Sequence, residues 1–163
     1  MEITPDLPNE LLPVAWLIGT WAGAGVGGYP GTPEYRFGQE ITFSHDGRPF
    51  LSYWSRSWLL DDDGNPLRPL DTESGYWRPQ TDGQVEVLLS HPTGISEIYV
   101  GEASGGKIDL RTDVVARTVS AREYTAGTRL YGLVEGDLLW AYDMAADGQA
   151  LQPHASARLK RIA

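Results

Sequence analysis

Between Gly19 and Pro30 the chain reads Gly-Thr-Trp-Ala-Gly-Ala-Gly-Val-Gly-Gly-Tyr-Pro, which places five of its nineteen glycines within ten residues of one another, beside a lone indole, Trp21. Each interior glycine would cost a helix about 1 kcal/mol relative to alanine. A strand, by contrast, uses glycine where it bends sharply or lets another backbone come close. A dinucleotide-binding loop would need a helix leaving the glycines, and Pro30, Gly31 and Pro33 stop one. The plainer alternative is a glycine-rich loop that only turns the chain. The stretch is read here as the first strand of a closed β-barrel, curling so that Trp21 lies across the closed end.

The flanking pattern supports strands. From Asn9 to Ile18 the apolar residues Leu11, Leu12, Val14, Ala15, Trp16, Leu17 and Ile18 fit one or two helical turns interrupted near Pro13, a plug for one end of a barrel. After the glycines the period becomes two: Ile41 and Phe43 alternate with polar residues, and His45-Asp46-Gly47-Arg48 makes an Asp-Gly turn. The run Phe50 to Leu60 follows, with Tyr53, Trp54 and Trp58 read as bulky interior residues. Further short strands fall near 74–78, 84–90, 94–103, 107–116, 128–135, 138–145 and 151–161, separated by Gly-, Asp- and Ser-rich turns. About ten strands without crossover helices predict an antiparallel barrel or sandwich. Pairing of the last strand with the first would remove both edges.

At 163 residues, 41% of them apolar, the chain suits a single domain spanning 1–163. The acidic, Pro-rich N-terminus lacks a basic start and an apolar run, so no signal peptide is expected and the cytoplasm is the default location. No stretch approaches a membrane span. With no cysteine, disulfides, thiolate catalysis and Cys-ligated metals are excluded. A net charge of −9 without a basic stripe makes nucleic acid a poor partner. The one basic cluster, Arg158-Leu159-Lys160-Arg161, reads as a solvated strand end. Asp61-Asp62-Asp63 lacks the ligand spacing of a calcium loop, with Pro66 and Pro69 in its path, and reads as a hairpin tip. Neither a Gly-x-Ser-x-Gly elbow nor a His-Glu-x-x-His zinc motif occurs.

Any metal chemistry therefore falls to the carboxylates and three histidines. His91, in Ser90-His91-Pro92-Thr93-Gly94, reads as an exposed turn residue. His45 opens the Asp-Gly turn and reads as structural or as a rim residue. His154 follows Pro153 in the last strand among small and apolar residues. Spacing alone makes it more often a hydrogen-bonded wall residue than a ligand.

Three blocks change that balance: Gly19-Thr20-Trp21-Ala22-Gly23-Ala24-Gly25 with Gly27-Gly28-Tyr29-Pro30; Ile41 through Pro49; and Pro153-His154-Ala155-Ser156-Ala157-Arg158-Leu159. In this order and at these separations they resemble the nitrobindin family, whose hallmark is a Gly-x-Trp-x-Gly-x-Gly motif, here Gly19, Trp21, Gly23 and Gly25. The resemblance runs from about residue 7 to residue 161. It implies a ten-stranded antiparallel up-and-down barrel, shaped like the fatty-acid-binding proteins and lipocalins, holding haem b in a shallow mouth. His154 matches the family's axial iron ligand. The resemblance also implies conversion of peroxynitrite to nitrate at ferric haem, reversible nitric oxide binding, and a role in detoxification or sensing of reactive nitrogen species. The family's haem-side threonine corresponds to Thr32, although Gly31 intervenes in Tyr29-Pro30-Gly31-Thr32. Arg129, in Gly127-Thr128-Arg129-Leu130-Tyr131, is a candidate donor to a haem propionate.

Two rival readings keep the barrel but not the haem: a carrier of a small hydrophobic ligand with a buried Arg/Tyr carboxylate clamp, and an empty structural barrel. Whether two chains pair as a homodimer is left open. One geometric expectation concerns the floor. If alternation runs unbroken from an inward His154, Ser156 and Arg158 share its face. Arg158 then reaches the closed end, about 13 Å below His154, lies over the Trp21 indole and caps carbonyls of the plug.

Overall fold

The computed structural model describes residues 5–163; the first four residues of the acidic N-terminus lie outside the described residues. Ten strands follow one another: β1 Gly19–Tyr29, β2 Thr32–Ser44, β3 Leu51–Leu60, β4 Pro66–Pro79, β5 Gln84–His91, β6 Ile95–Ser104, β7 Lys107–Arg117, β8 Tyr124–Val134, β9 Asp137–Ala146 and β10 Gln152–Arg161. Each pairs antiparallel with its neighbour, and β1 pairs with β10 from Trp21↔Arg161 to Gly27↔Ala155, so the sheet closes on itself. Closure leaves no free edge, the outcome expected for strands this short and this regularly spaced. β2, β4 and β8 start earlier than the sequence pattern suggests, at Thr32, Pro66 and Tyr124.

The glycines of β1 act through close approach. A Cβ at Gly23 would lie 2.3 Å from the Arg158 carbonyl oxygen, and one at Gly25 would lie 2.3 Å from that of Ser156. Side chains at these positions would push the closing strand away.

The plug is a 3₁₀ segment, Asn9–Leu17, that continues through Pro13. Its buried residues, Leu11, Val14 and Leu17, recur every third position, the period of a 3₁₀ helix. They join Trp21, Phe43, Ile41, Leu51, Trp77, Leu138 and Leu159 in one core that fills the closed end. The Trp21 indole N–H donates to the Leu17 carbonyl at 2.8 Å.

The residue over Trp21 is Arg161, not Arg158. The Arg161 guanidinium carbon sits 4.2 Å from the indole centroid, and its two terminal nitrogens donate to the Trp16 carbonyl at 2.7 Å and to the Ile18 carbonyl. The reason is a bulge: the register of β10 against β9 shifts between Pro153 and Ala155, and an extra residue reverses which face the following side chains take. Ala155, Ala157 and Leu159 therefore point inward, and Arg158 points out to Asp137 at 2.7 Å. The same alternation corrects β3. Tyr53 is inward and buried, whereas Trp54 is outward and 43% exposed. Trp58 lies outside against Gly38.

The Asp61 carboxylate accepts the backbone N–H groups of Asp63 and Asn65 at 2.9 and 2.8 Å, the hydrogen bonding of a hairpin tip. No helix among the described residues is long and apolar enough to cross a membrane.

Candidate functional site

The end opposite the plug opens into a cavity of about 580 Å³ whose walls carry Tyr29, Thr32, Glu73, His91, Arg129 and His154 among others. Two irregularities meet at His154. β1 shifts register between Gly27 and Tyr29, and its ladder with β10 ends at Gly27↔Ala155. The Gly28 carbonyl is thereby available, and it lies 3.1 Å from His154 Nδ1. A carbonyl only accepts, so in the neutral ring Nδ1 carries the proton and Nε2 the lone pair. Tyr29 and Tyr142 stand edge-on to the imidazole, with ring centroids 5.8 and 5.5 Å away. Tyr29 is itself fixed, donating to the Met144 carbonyl at 2.9 Å and accepting from the Ala146 N–H at 3.0 Å. Burial, with the positive charges of Arg122 and Arg129 adding to it, lowers the His154 pKa despite the Gly28 hydrogen bond. The ring is thus neutral at neutral pH and presents one basic nitrogen.

Deeper in the lumen lies a buried ionic cluster. Arg129 on β8 forms a fork to Glu73 on β4, NH1 to Oε1 at 2.6 Å and NH2 to Oε2 at 3.0 Å, across 56 residues of chain. Its Nε donates to the Tyr99 hydroxyl at 3.1 Å, and its guanidinium lies 4.6 Å from the Tyr142 ring centroid. The Tyr53 hydroxyl donates to Glu73 at 2.5 Å and that of Tyr124 to Glu97 at 2.6 Å. Burial opposes the Glu73 carboxylate, but the Arg129 charge and hydrogen bonds outweigh it and bring its pKa down to about 2. Burial pushes the Tyr99 phenol up to about 12.

His91 belongs to this cluster and is not an exposed turn residue. Its side chain is 10% exposed, with Nε2 3.0 Å from Glu97 and Nδ1 3.5 Å from Glu73. It ends β5, and the following Pro92-Thr93-Gly94 forms the turn, so the inward alternation of Val85, Val87 and Leu89 carries His91 into the lumen. Burial disfavours its charged form, yet the Glu97 hydrogen bond and the Glu73 charge raise its pKa overall.

Of the residues singled out in the sequence, the structure brings His154, Thr32 and Arg129 to one cavity. It puts Trp21 at the opposite end, with Gly23 and Gly25 in the β1–β10 seam and His45 on an exposed turn, where its Nδ1 accepts the Gly47 N–H at 3.2 Å. Arg129 faces Glu73 with its fork, and Thr32 sits exposed at the rim. Glu73, Glu97, Tyr29 and the Gly28 carbonyl were not foreseen. A signal for the acids was present: Glu97 lies between Ile95 and Tyr99, at a core-facing position of an alternating strand. Asp71, Glu73 and His91 offer ligand atoms within 4.8 Å of one another, but the Arg129 guanidinium on Glu73 repels a cation there.

A closed antiparallel barrel with one open mouth and a neutral imidazole in its wall is a barrel for binding a cofactor or small ligand. The family model described as "THAP4-like, heme-binding beta-barrel domain" matches residues 10–161, and the chain belongs to that family. It is 54% identical over 160 residues, covering 98% of each chain, to a protein of Nocardioides sp. named peroxynitrite isomerase. It is 53% identical over 177 residues, covering 99% of this chain and 98% of the other, to a protein of Kineococcus radiotolerans named ferric nitrobindin-like protein. The crystal structure of Rv2717c from M. tuberculosis matches it with a TM-score of 0.87 and 36% identity, over 97% of this chain and all of that one.

Proposed function

We infer that this barrel binds haem b through His154 and isomerises peroxynitrite to nitrate. The observation that carries the reading is the hydrogen bond from His154 Nδ1–H to the Gly28 carbonyl. It fixes the tautomer and the ring plane and leaves Nε2 as a ligand, the outer-shell arrangement typical of metal-bound histidine. Ferric haem bound there would supply a Lewis-acidic metal at which peroxynitrite rearranges to nitrate and, when ferrous, a site for nitric oxide.

The chain's own residues fit that role. His91 lies on β5, five strands from β10 whichever way the ring is followed, and its Nε2 is engaged by Glu97. The facing wall therefore offers no second unengaged imidazole, which suits an iron with one protein ligand and an open position. Tyr29 and Tyr142 hold the His154 ring edge-on. Arg129 sits beneath the cavity already neutralised by Glu73, while Arg68 and Arg122 line the same cavity and Arg122 pairs with Asp147. Arg68, for which no ion pair occurs among the described residues, is the better propionate partner, with Thr32 lining the same cavity at the rim. A cytoplasmic location and a role in sensing or detoxifying reactive nitrogen species accompany this reading.

The rival carrier is disfavoured by one contact. The buried Arg/Tyr clamp that would take a ligand carboxylate exists, formed by Arg129, Tyr53 and Tyr131, but Glu73 already fills it. Haem titration followed in the Soret region tests ligation: a band is expected with the native chain and a changed or absent one with a folded His154→Ala. Stopped-flow decay of peroxynitrite then tests catalysis, and no acceleration over the haem-free protein would reduce the chain to a haem or nitric oxide binder.

A further inference from the structure

The charges buried in the lumen do not cancel without His91. Glu73 and Glu97 supply two carboxylates and Arg129 one permanent cation, and all three side chains are at least nine-tenths buried. Two negatives against one positive leave a positive charge missing, and a low-dielectric interior makes that costly. His91 is placed to supply it. Its Nε2 lies 3.0 Å from Glu97 Oε1 and its Nδ1 3.5 Å from Glu73 Oε2. A neutral imidazole has a single N–H, so it serves one carboxylate and turns a lone pair toward the other. The imidazolium serves both, and against the cost of burial the two carboxylates raise the pKa of the ring.

The other groups packed around His91 hold one charge near neutral pH. Tyr53 from β3 and Tyr124 from β8 donate to Glu73 and Glu97, and Tyr99 from β6 meets Tyr124 at 3.2 Å. Burial raises these phenols and those of Tyr131 on β8 and Tyr142 on β9. Asp71 on β4 is exposed at the rim, and one ligand atom each of Asp71, Glu73 and His91 lies within 4.8 Å of the others, so Nδ1 is close to solvent. His91 and His154 line one cavity from strands five apart in a ring of ten. A cavity of 580 Å³ is about 10 Å across, and two unit charges that far apart, at an effective dielectric of about 20, change a proton affinity roughly tenfold. Haem iron on a neutral imidazole carries one more positive charge when ferric than when ferrous, so an imidazolium across the cavity favours the ferrous form.

We propose, on the reading that His154 ligates haem, that His91 is the proton partner of iron reduction: as one electron from an external one-electron donor enters the iron, one proton from solvent bonds to His91 Nδ1. The charge enclosed by the lumen is then the same before and after, and oxidation reverses both transfers. Acid favours the ferrous state that takes nitric oxide, and alkali the ferric state that isomerises peroxynitrite. Spectroelectrochemical titration of the haem-loaded chain from pH 6.5 to 9, followed in the Soret region, tests this in a range where His154 is neutral. The midpoint potential of the native chain should fall by about 59 mV more across that range than that of His91→Gln, the one-electron equivalent of a tenfold difference in proton affinity. Glu97→Gln removes one of the two buried negative charges and should abolish the same part of the fall, an effect that a merely structural His91 would not produce. If His91→Gln takes no haem, Glu97→Gln alone decides. Equal falls in the native chain and the variants overturn the proposal and leave the haem reading standing, whereas a native chain with no Soret band overturns both.

Discussion

Two arginines stand over aromatic rings at opposite depths of the barrel, and they are kept in different ways. Arg161 covers Trp21 at the closed end, where it is exposed and donates to the neutral carbonyls of Trp16 and Ile18. Arg129 lies over Tyr142 and Tyr99 in the lumen, fully enclosed, and is matched by the carboxylate of Glu73. Water at the floor screens the first charge, so dipoles and an indole suffice. The lumen offers no such screening, and an isolated cation there would cost several kcal/mol without a counter-charge. The difference teaches where charge in this molecule is structural. In the lumen it is built into the fold, and at the floor it trims an otherwise apolar seal.

The sharpest way to break this contrast is Arg129→Met. It leaves Glu73 buried without its guanidinium, held only by the Tyr53 hydroxyl and His91, and denaturant unfolding of the haem-free chain should show a loss of about 3–5 kcal/mol. Arg129→Met/Glu73→Leu should recover much of that, because the pair costs desolvation that an apolar pair does not. If the double variant were as unstable as the single one, the charge argument would be wrong. Arg161→Ala should lose less, about 1–2 kcal/mol, for one cation–π contact and its carbonyl hydrogen bonds. Arg158→Ala, which removes only outward pairs with Asp137 and Glu135, should leave the melting temperature where it was. The reverse ranking of these two would return Arg158 to the floor.

The pH dependence of stability sharpens the lumen side. Glu73 has its pKa brought from 4.5 down to about 2, so its contribution is present above pH 4.5 and lost as the pH falls toward about 2. His91 has its pKa raised above 6.5, so its contribution is complete below pH 6.5 and lost as the pH climbs through the raised value. The cluster should be most stabilising between these limits. His91→Gln should remove the decline on the alkaline side only, by a margin smaller than either arginine effect, and thermal melts of the haem-free protein across pH will show it. An alkaline decline that is the same in both proteins would sink the imidazolium reading.

A small expected change in stability belongs to the residue with the largest expected change in function. His154 is half-buried, and its ring makes one hydrogen bond, to the Gly28 carbonyl. His154→Ala should therefore melt close to the native haem-free protein while failing to ligate haem. Burial holds its pKa below 6.5, opposite in direction to that of His91. Haem loss on acidification should begin below pH 6.5, and loss setting in above that value, followed by the Soret band, would contradict a neutral ligand held by desolvation.

Local pattern was enough for what depends on neighbours in the chain. The glycines at 19, 23 and 25, the turns at 45–48 and 61–66 and the period-two runs between them determined a curled first strand and a closed meander, because backbone sterics and alternation act within a few residues. The blocks around Trp21 and His154 pointed to a haem-binding family only through their resemblance to it, and the chain belongs to such a family. What tertiary structure alone decided is which faces and partners meet after closure. Alternation assigns a face only as far as the next bulge, so the shift between Pro153 and Ala155 moved the floor contact from Arg158 to Arg161. His91 reads as a turn residue until β5 is seen to carry it inward beside Glu97. The fork between Arg129 and Glu73 spans 56 positions, and neither residue announces the other. Such pairs follow from curvature and register around the whole ring, which low dielectric then makes obligatory: a charge committed to the lumen must find its opposite there, wherever in the chain that opposite lies.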